Sequence, residues 1–262
     1  MIAMIPPAIE AAAATGFAPA LDTAYRYHIE QQRDDAGVVR RYATDRTIRF
    51  RRTTDGLVAD MVIDGVTGSL SDGPGALFER AFASLRGRPI RYILSDRGEV
   101  TDIVDRAGLW STLIDAIAAQ VGDDPARSAM LARLTAPLRA MPERQQVAML
   151  GSMLTNVLAP DIVRRGVQPE RPIRRPGTPP FGIGSEVTGT ERIYAEGRDL
   201  IAEEHLSGDI AANGQASGRR TSSLGRTVDA ATGMIVRQTS TVRIDTGGAT
   251  SLATTRITRS QP

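Results

Sequence analysis

From Ala24 the chain alternates: Tyr25, Tyr27 and Ile29 fall on one side and Arg26, His28 and Glu30 on the other, the period-two pattern of a half-buried strand. Asp34-Asp35-Ala36-Gly37 supplies a turn. A second strand is predicted over Val38–Thr53, with Tyr42, Ile48 and Phe50 on one side. Thr54-Asp55-Gly56 turns the chain again, and Leu57, Ala59, Met61 and Ile63 alternate beyond it. Three strands joined by tight turns predict an antiparallel meander.

The period then changes. Ser71-Asp72-Gly73-Pro74 opens a helix predicted over 74–86, with Leu77, Phe78, Ala81, Phe82 and Leu85 in one stripe and Gly87 as its stop. Ile90, Tyr92 and Leu94 resume strand spacing, Ser95–Gly98 turns, and Val100, Ile103 and Val104 return. Asp105 to Ala159 is apolar at helical spacing. Leu109, Trp110, Leu113, Ile114, Ile117 and Val121 form one stripe, and Pro125 and Pro142 each begin a further helix. The second carries Met130, Leu131, Leu134 and Leu138; the third carries Val147, Met149, Leu150, Met153, Leu154, Val157 and Leu158. These helices are expected to end at Ala159-Pro160.

Pro169, Pro172, Pro176, Pro179 and Pro180 then fall among Arg171, Arg174 and Arg175, so 164–184 cannot be regular helix or central strand and reads as an extended surface connector. Five strands follow, over 187–194, 199–211, 219–229, 234–245 and 250–258, separated by strong turn chemistry. Their many Thr, Ser and Arg residues require one well-solvated face. The predicted fold is α+β: an antiparallel, curved sheet built from N- and C-terminal β regions, with a central helical insert packed on it. The expected organisation is an N-terminal segment (1–20) and one domain (21–262). That domain comprises a β meander with one helix (21–104), the helical insert (105–160), the Pro/Arg connector (161–185) and a second β region (186–262).

Composition narrows the function classes. The 262 residues are 41% hydrophobic, enough for a substantial core, but only 4% aromatic, so that core must be mainly aliphatic. All 32 basic residues are Arg, against 30 acids, for a net charge of +2. Guanidinium suits phosphate, but acids interspersed nearly one for one argue against a nucleic-acid footprint. The chain has no Cys, which excludes disulfides and thiolate metal sites. It contains no apolar run of about 18 residues, so no membrane-spanning helix is expected. Met1–Ala20 is apolar and Ala-rich but broken by Pro6-Pro7 and Glu10, and it lacks the positive start of a secretory signal.

Candidate chemistry is sparse. Of two histidines, His205 follows Glu203-Glu204, and a strand would place Glu203 and His205 on one face, as two metal ligands or an acid–base pair. No third ligand stands at a recognisable spacing, so a salt-bridged strand face explains the pair as well. No G-x-S-x-G elbow or complete dinucleotide fingerprint occurs, and a chain without Lys has no phosphate-binding G-x-x-x-x-G-K-[ST] loop. No catalytic residue, metal site or cofactor is therefore expected. Arg171, Arg174 and Arg175 form a candidate anion site. Phe78, Phe82, Trp110, Leu113, Met149 and Met153 could line an adaptable apolar ligand pocket or simply form core.

Several segments carry a resemblance: Leu21-Asp22-Thr23-Ala24-Tyr25-Arg26-Tyr27, Ser95-Asp96-Arg97-Gly98-Glu99-Val100, Leu109-Trp110, Pro176-Gly177-Thr178 and Asp229 with Thr232-Gly233-Met234. Together they look like a bacterial family of exported cell-envelope proteins with a β–helix–β layout. The layout is also similar to lipoprotein-carrier-like half-barrels, in which a sheet wraps helices and holds acyl chains. The resemblance implies export to the periplasm or envelope, with residues 1–20 as a signal remnant, and it carries over no catalytic residue. The function expected from it is non-enzymatic binding of a lipid or other hydrophobic small molecule between sheet and helices, with peripheral membrane contact and no nucleic-acid partner. An enzyme using Glu203 and His205, or a protein-interaction module, are the alternatives.

Overall fold

The computed structural model describes residues 16–54, 56–68, 81–119, 125–176, 186–212, 215–246 and 248–260. The chain runs β1 (Ala24–Asp35), β2 (Val38–Thr53), β3 (Gly56–Gly68), β4 (Ile90–Leu94) and β5 (Val100–Ile103). Four helices follow: α1 (Arg106–Ala118), α2 (Pro125–Arg139), α3 (Glu143–Thr155) and α4 (Pro160–Arg165). The remaining strands are β6 (Gln168–Pro176), β7 (Glu186–Glu196), β8 (Asp199–Ala212), β9 (Gln215–Asp229), β10 (Met234–Thr246) and β11 (Ala249–Ser260). All eleven strands belong to one sheet, in the order β5-β4-β3-β2-β1-β11-β10-β9-β8-β7-β6. The registered pairs are antiparallel. The fold is therefore α+β and antiparallel, as the periodicities predict.

Turn chemistry sets the strand boundaries. Between β1 and β2, Ala36 and Gly37 both have positive φ (52° and 89°), and the Gly37 N–H donates to the Asp34 carboxylate at 2.8 Å. This is the twist that matches a two-residue hairpin. The predicted helix over 74–86 lies mostly outside the described residues. Its visible end, Ala81–Ala83, is helical, and Ala81 and Leu85 are fully buried.

Two expectations along the chain change. Pro160 does not end the helical block; it occupies the first turn of α4, where a missing N–H costs nothing. The third helix instead stops at Thr155, and Leu158 pairs with Met234. The Pro/Arg connector contains a strand, β6, at one end of the sheet. That is where prolines are tolerated, since one side of an edge strand needs no donors.

The contacts divide the chain into two compact units. The helical unit comprises Ala20–Tyr27 and Tyr42–Val157. Its strands align buried residues in rows: Ile48 opposite Met61 opposite Ile90, and Phe50 opposite Ala59 opposite Tyr92. The α1 stripe of Leu109, Trp110, Leu113, Ile114 and Ile117 is buried, as are Leu150, Met153 and Leu154 of α3. Each such side chain contributes about 1.5–3 kcal/mol. Three of the polar side chains reaching this core donate to backbone carbonyls. The Trp110 indole N–H donates to the Leu138 carbonyl (3.0 Å), Tyr92 Oη to the Leu150 carbonyl (3.2 Å), and Arg46 to the Met153 carbonyl (2.7 Å).

The strand-rich unit comprises His28–Arg41 and Leu158–Ser260, with the N-terminal stretch ending at Pro19. One face of its sheet holds a cluster in which Ala159, Ile162 and Val163 at α4 pack on Ile193, Leu200, Val228 and Ile235. The opposite face is hydroxyl-rich. Thr190, His205, Ser223, Thr241 and Thr254 follow one another across β7–β11, which is the solvated face the composition requires. Gly189 of β7 lies close against β8, since a Cβ there would sit 1.7 Å from the His205 carbonyl oxygen.

Candidate functional site

Beside α4 in the strand-rich unit is a cavity of about 390 Å³. The two-residue alternation of each strand decides what enters it. On β7, Glu191 and Ile193 share the face covered by α4, and the ladder sets Glu204 opposite Glu191 and Ala202 opposite Ile193. One strand further, Leu224 lies opposite Glu204 and Arg226 opposite Ala202. Ile162, Ile193, Ala202 and Leu224 thus give the cavity an apolar wall, while Asp161 and Arg165 reach it from α4. Arg165, Arg175 and Arg226 with Asp161, Glu191 and Glu204 complete the lining on this side, for a formal charge of zero, while Arg192 and Glu203, of the opposite strand parity, border it as a second balanced pair.

Most of these charges satisfy one another. Glu191 is only 6% exposed. It accepts hydrogen bonds from Arg165 (2.7 Å) and from Arg171 Nε (2.9 Å), with Arg175 at 3.7 Å. Burial pushes its carboxyl up, but the hydrogen bonds and charges of Arg171 and Arg165 outweigh that and hold it below the usual carboxylate range. Arg175 also binds Glu204. Arg192 binds Glu203 (2.6 Å) and lies over the Tyr194 ring, its guanidinium carbon 5.1 Å from the centroid.

Arg226 is the exception. Its Nε donates to Gln238 Oε1 (2.6 Å), and among the described residues its two amino groups have no hydrogen-bond or ion-pair partner. Burial lowers its pKa from the ordinary guanidinium value, a shift that nearby Asp161 and Glu204 only partly offset. Asp161, the acid with least commitment, has only a 3.5 Å contact to Arg165.

The residues singled out from the sequence separate. Arg171 and Arg175 converge on Glu191, whereas Arg174 lies across from Thr188 on the other face, 3.8 Å from Glu186. Glu203 and His205 do share a strand face, as their spacing predicts. Glu203 is nevertheless engaged by Arg192 and by Tyr194 Oη (3.2 Å), and His205 is exposed. Among the described residues no group of three or more His, Asp or Glu could hold a metal. Trp110, Leu113 and Met153 are buried in the helical unit's core, Phe82 and Met149 are half-buried, and Phe78 lies outside the described residues.

Glu191 and Arg226 were missed. The available signal was a charged residue on the inward parity of an otherwise apolar strand face, Glu191 between Val187 and Ile193 and Arg226 beside Val228. That parity becomes visible only once each strand's covered face is known. No described helix is long and apolar enough to cross a membrane. The chain matches no family model, no curated protein and no solved structure.

Proposed function

We propose that the protein is a non-catalytic binding protein that holds a compact amphipathic small molecule in the cavity beside α4. The observation that carries this reading is the pairing of an apolar wall (Ile162, Ile193, Ala202, Leu224) with charged groups in one concavity of about 390 Å³, within the size range of small-molecule sites. Glu203 does not favour an enzyme. The Arg192 hydrogen bond holds its carboxyl below the usual range, whereas a general base near neutral pH needs a raised one. A lipid held between the sheet and helices of the other unit is the weaker reading, because Trp110, Leu113 and Met153 are already packed there and a ligand would have to displace them. An envelope location, carried by the resemblance of segments such as Leu21–Tyr27, belongs to the same proposal.

Native mass spectrometry of the protein purified from its own host tests the reading. A bound small molecule that survives purification is expected, and Ala202→Trp, which fills the cavity, should remove it while leaving the far-UV circular dichroism unchanged. Retention of the adduct by the folded Ala202→Trp variant would overturn the assignment to this cavity.

A further inference from the structure

The charges lining the cavity carry information about the ligand beyond its being amphipathic. On the α4 side Arg165 pairs with Glu191 and Arg175 with Glu204, and Arg192 pairs with Glu203 on the opposite strand face, so these cations and acids neutralise one another. What remains on the cation side is Arg226, pinned at Nε by Gln238. That bond orients the guanidinium and leaves the two-amino end of the fork uncommitted. A planar carboxylate matches this end with two parallel hydrogen bonds. Burial already penalises the unpaired cation, and an incoming single negative charge relieves the penalty. A dianionic phosphate would instead bring surplus negative charge among Asp161, Glu191 and Glu204, and a cationic head group would face Arg226 itself. The apolar side is small. At about 30 Å³ per water-sized group, a cavity of this volume takes roughly a dozen non-hydrogen atoms.

From this juxtaposition we infer that Arg226 is the anion anchor of the cavity and that the ligand is a monocarboxylate with a short apolar body. The inference rests on the binding role proposed above and names its ligand class.

The experiment is isothermal titration of the purified full chain with octanoate, octan-1-ol, octylamine and octyl phosphate. It is repeated on Arg226→Met, Arg226→Lys and Ala202→Trp after a thermal melt has confirmed that each is folded. The inference expects octanoate to bind wild-type protein at least tenfold more tightly than the other three. It also expects at least a tenfold loss in both Arg226 variants, since Lys keeps the charge but not the fork. If octan-1-ol or octylamine binds as tightly as octanoate, or Arg226→Met leaves octanoate affinity unchanged, the carboxylate anchor is overturned while the cavity role stands. If octyl phosphate binds best, the anion is a phosphate and the inference fails. If octanoate binds Ala202→Trp as well as wild type, the site is elsewhere and both readings fail. Absence of binding by all four probes overturns the ligand class.

Discussion

Glu191→Gln isolates what a buried carboxylate contributes when several guanidinium groups converge on it. Glu191 accepts from Arg165 and Arg171, and a charge-assisted hydrogen bond contributes about 1.5–3 kcal/mol against about 0.5–1.5 for a neutral one. Replacing the carboxylate with an amide thus weakens two bonds by about 1 kcal/mol each. The Arg171 side chain is 51% exposed and Arg165 31%, so water recovers part of this loss. The substitution also relieves the like-charge opposition of Glu191 and Glu204 across the β7–β8 ladder. The net expectation near neutral pH is a destabilisation of about 1–2 kcal/mol, or a melting shift of about 2–8 °C at about 2–4 °C per kcal/mol.

The pH dependence has a definite sign. The folded-state pKa of Glu191 is depressed, so its contribution is complete above the unfolded value of about 4.3 and is lost as pH falls through the folded value. The difference between wild type and Glu191→Gln should therefore close below about pH 4. Urea unfolding followed by far-UV circular dichroism measures this, and hydrogen exchange should show faster opening of β6, where Arg171 and Arg175 tie a proline-interrupted strand to the sheet. A stability difference that stays constant from neutral to acid pH, or a variant as stable as wild type at neutral pH, refutes the reasoning.

Three further outcomes are expected. Trp110→Phe removes the indole N–H that serves the Leu138 carbonyl and should cost about 1–2 kcal/mol in urea unfolding followed by circular dichroism; an unchanged midpoint contradicts the assignment. Gly189→Ala drives a Cβ into the His205 carbonyl and should lose several kcal/mol, seen as a collapsed melting temperature or soluble yield, so a near-native melt would mean that the two strands separate easily. His205→Ala, on the exposed hydroxyl-rich face, should change stability by less than about 0.5 kcal/mol and leave octanoate titration unaltered. A loss of binding there would revive a role for the histidine.

The elements themselves were readable because their signals are local. Alternation over Tyr25–Ile29, the Pro125 helix start and the Asp34–Gly37 turn each depend on residues within a few positions of one another, and β2 and β10 fall within a residue or two of where periodicity puts them. The prolines of β6 excluded a central strand, and they sit at an edge. What stayed hidden depends on long-range pairing. Nothing near Arg226 announces that Gln238 will hold its Nε, because that contact follows from the β9–β10 register. The burial of Glu191 needs α4 to cover one particular face of β7, and Arg171 and Arg174 look equivalent in sequence until strand parity sends them to opposite faces. The residues proposed to bind ligand are therefore assembled by sheet order rather than by any motif.

That order has a consequence for synthesis. β1 lies between β2 and β11, with Asp35 bonded to Ser251 and Glu30 facing Arg256, yet 225 residues of synthesis (260 − 35) separate the end of β1 from the end of β11. At about 5–20 residues per second, roughly 10–45 s separate completion of β1 from completion of its second neighbour. Throughout that interval one edge of the N-terminal meander is unpaired. Glu30, Arg33 and Asp35, which lie along β1, are the kind of charged residues that discourage wrong strands from docking on such an edge. The nascent protein thus carries its own protection until the dozen residues of β11 arrive to close the gap.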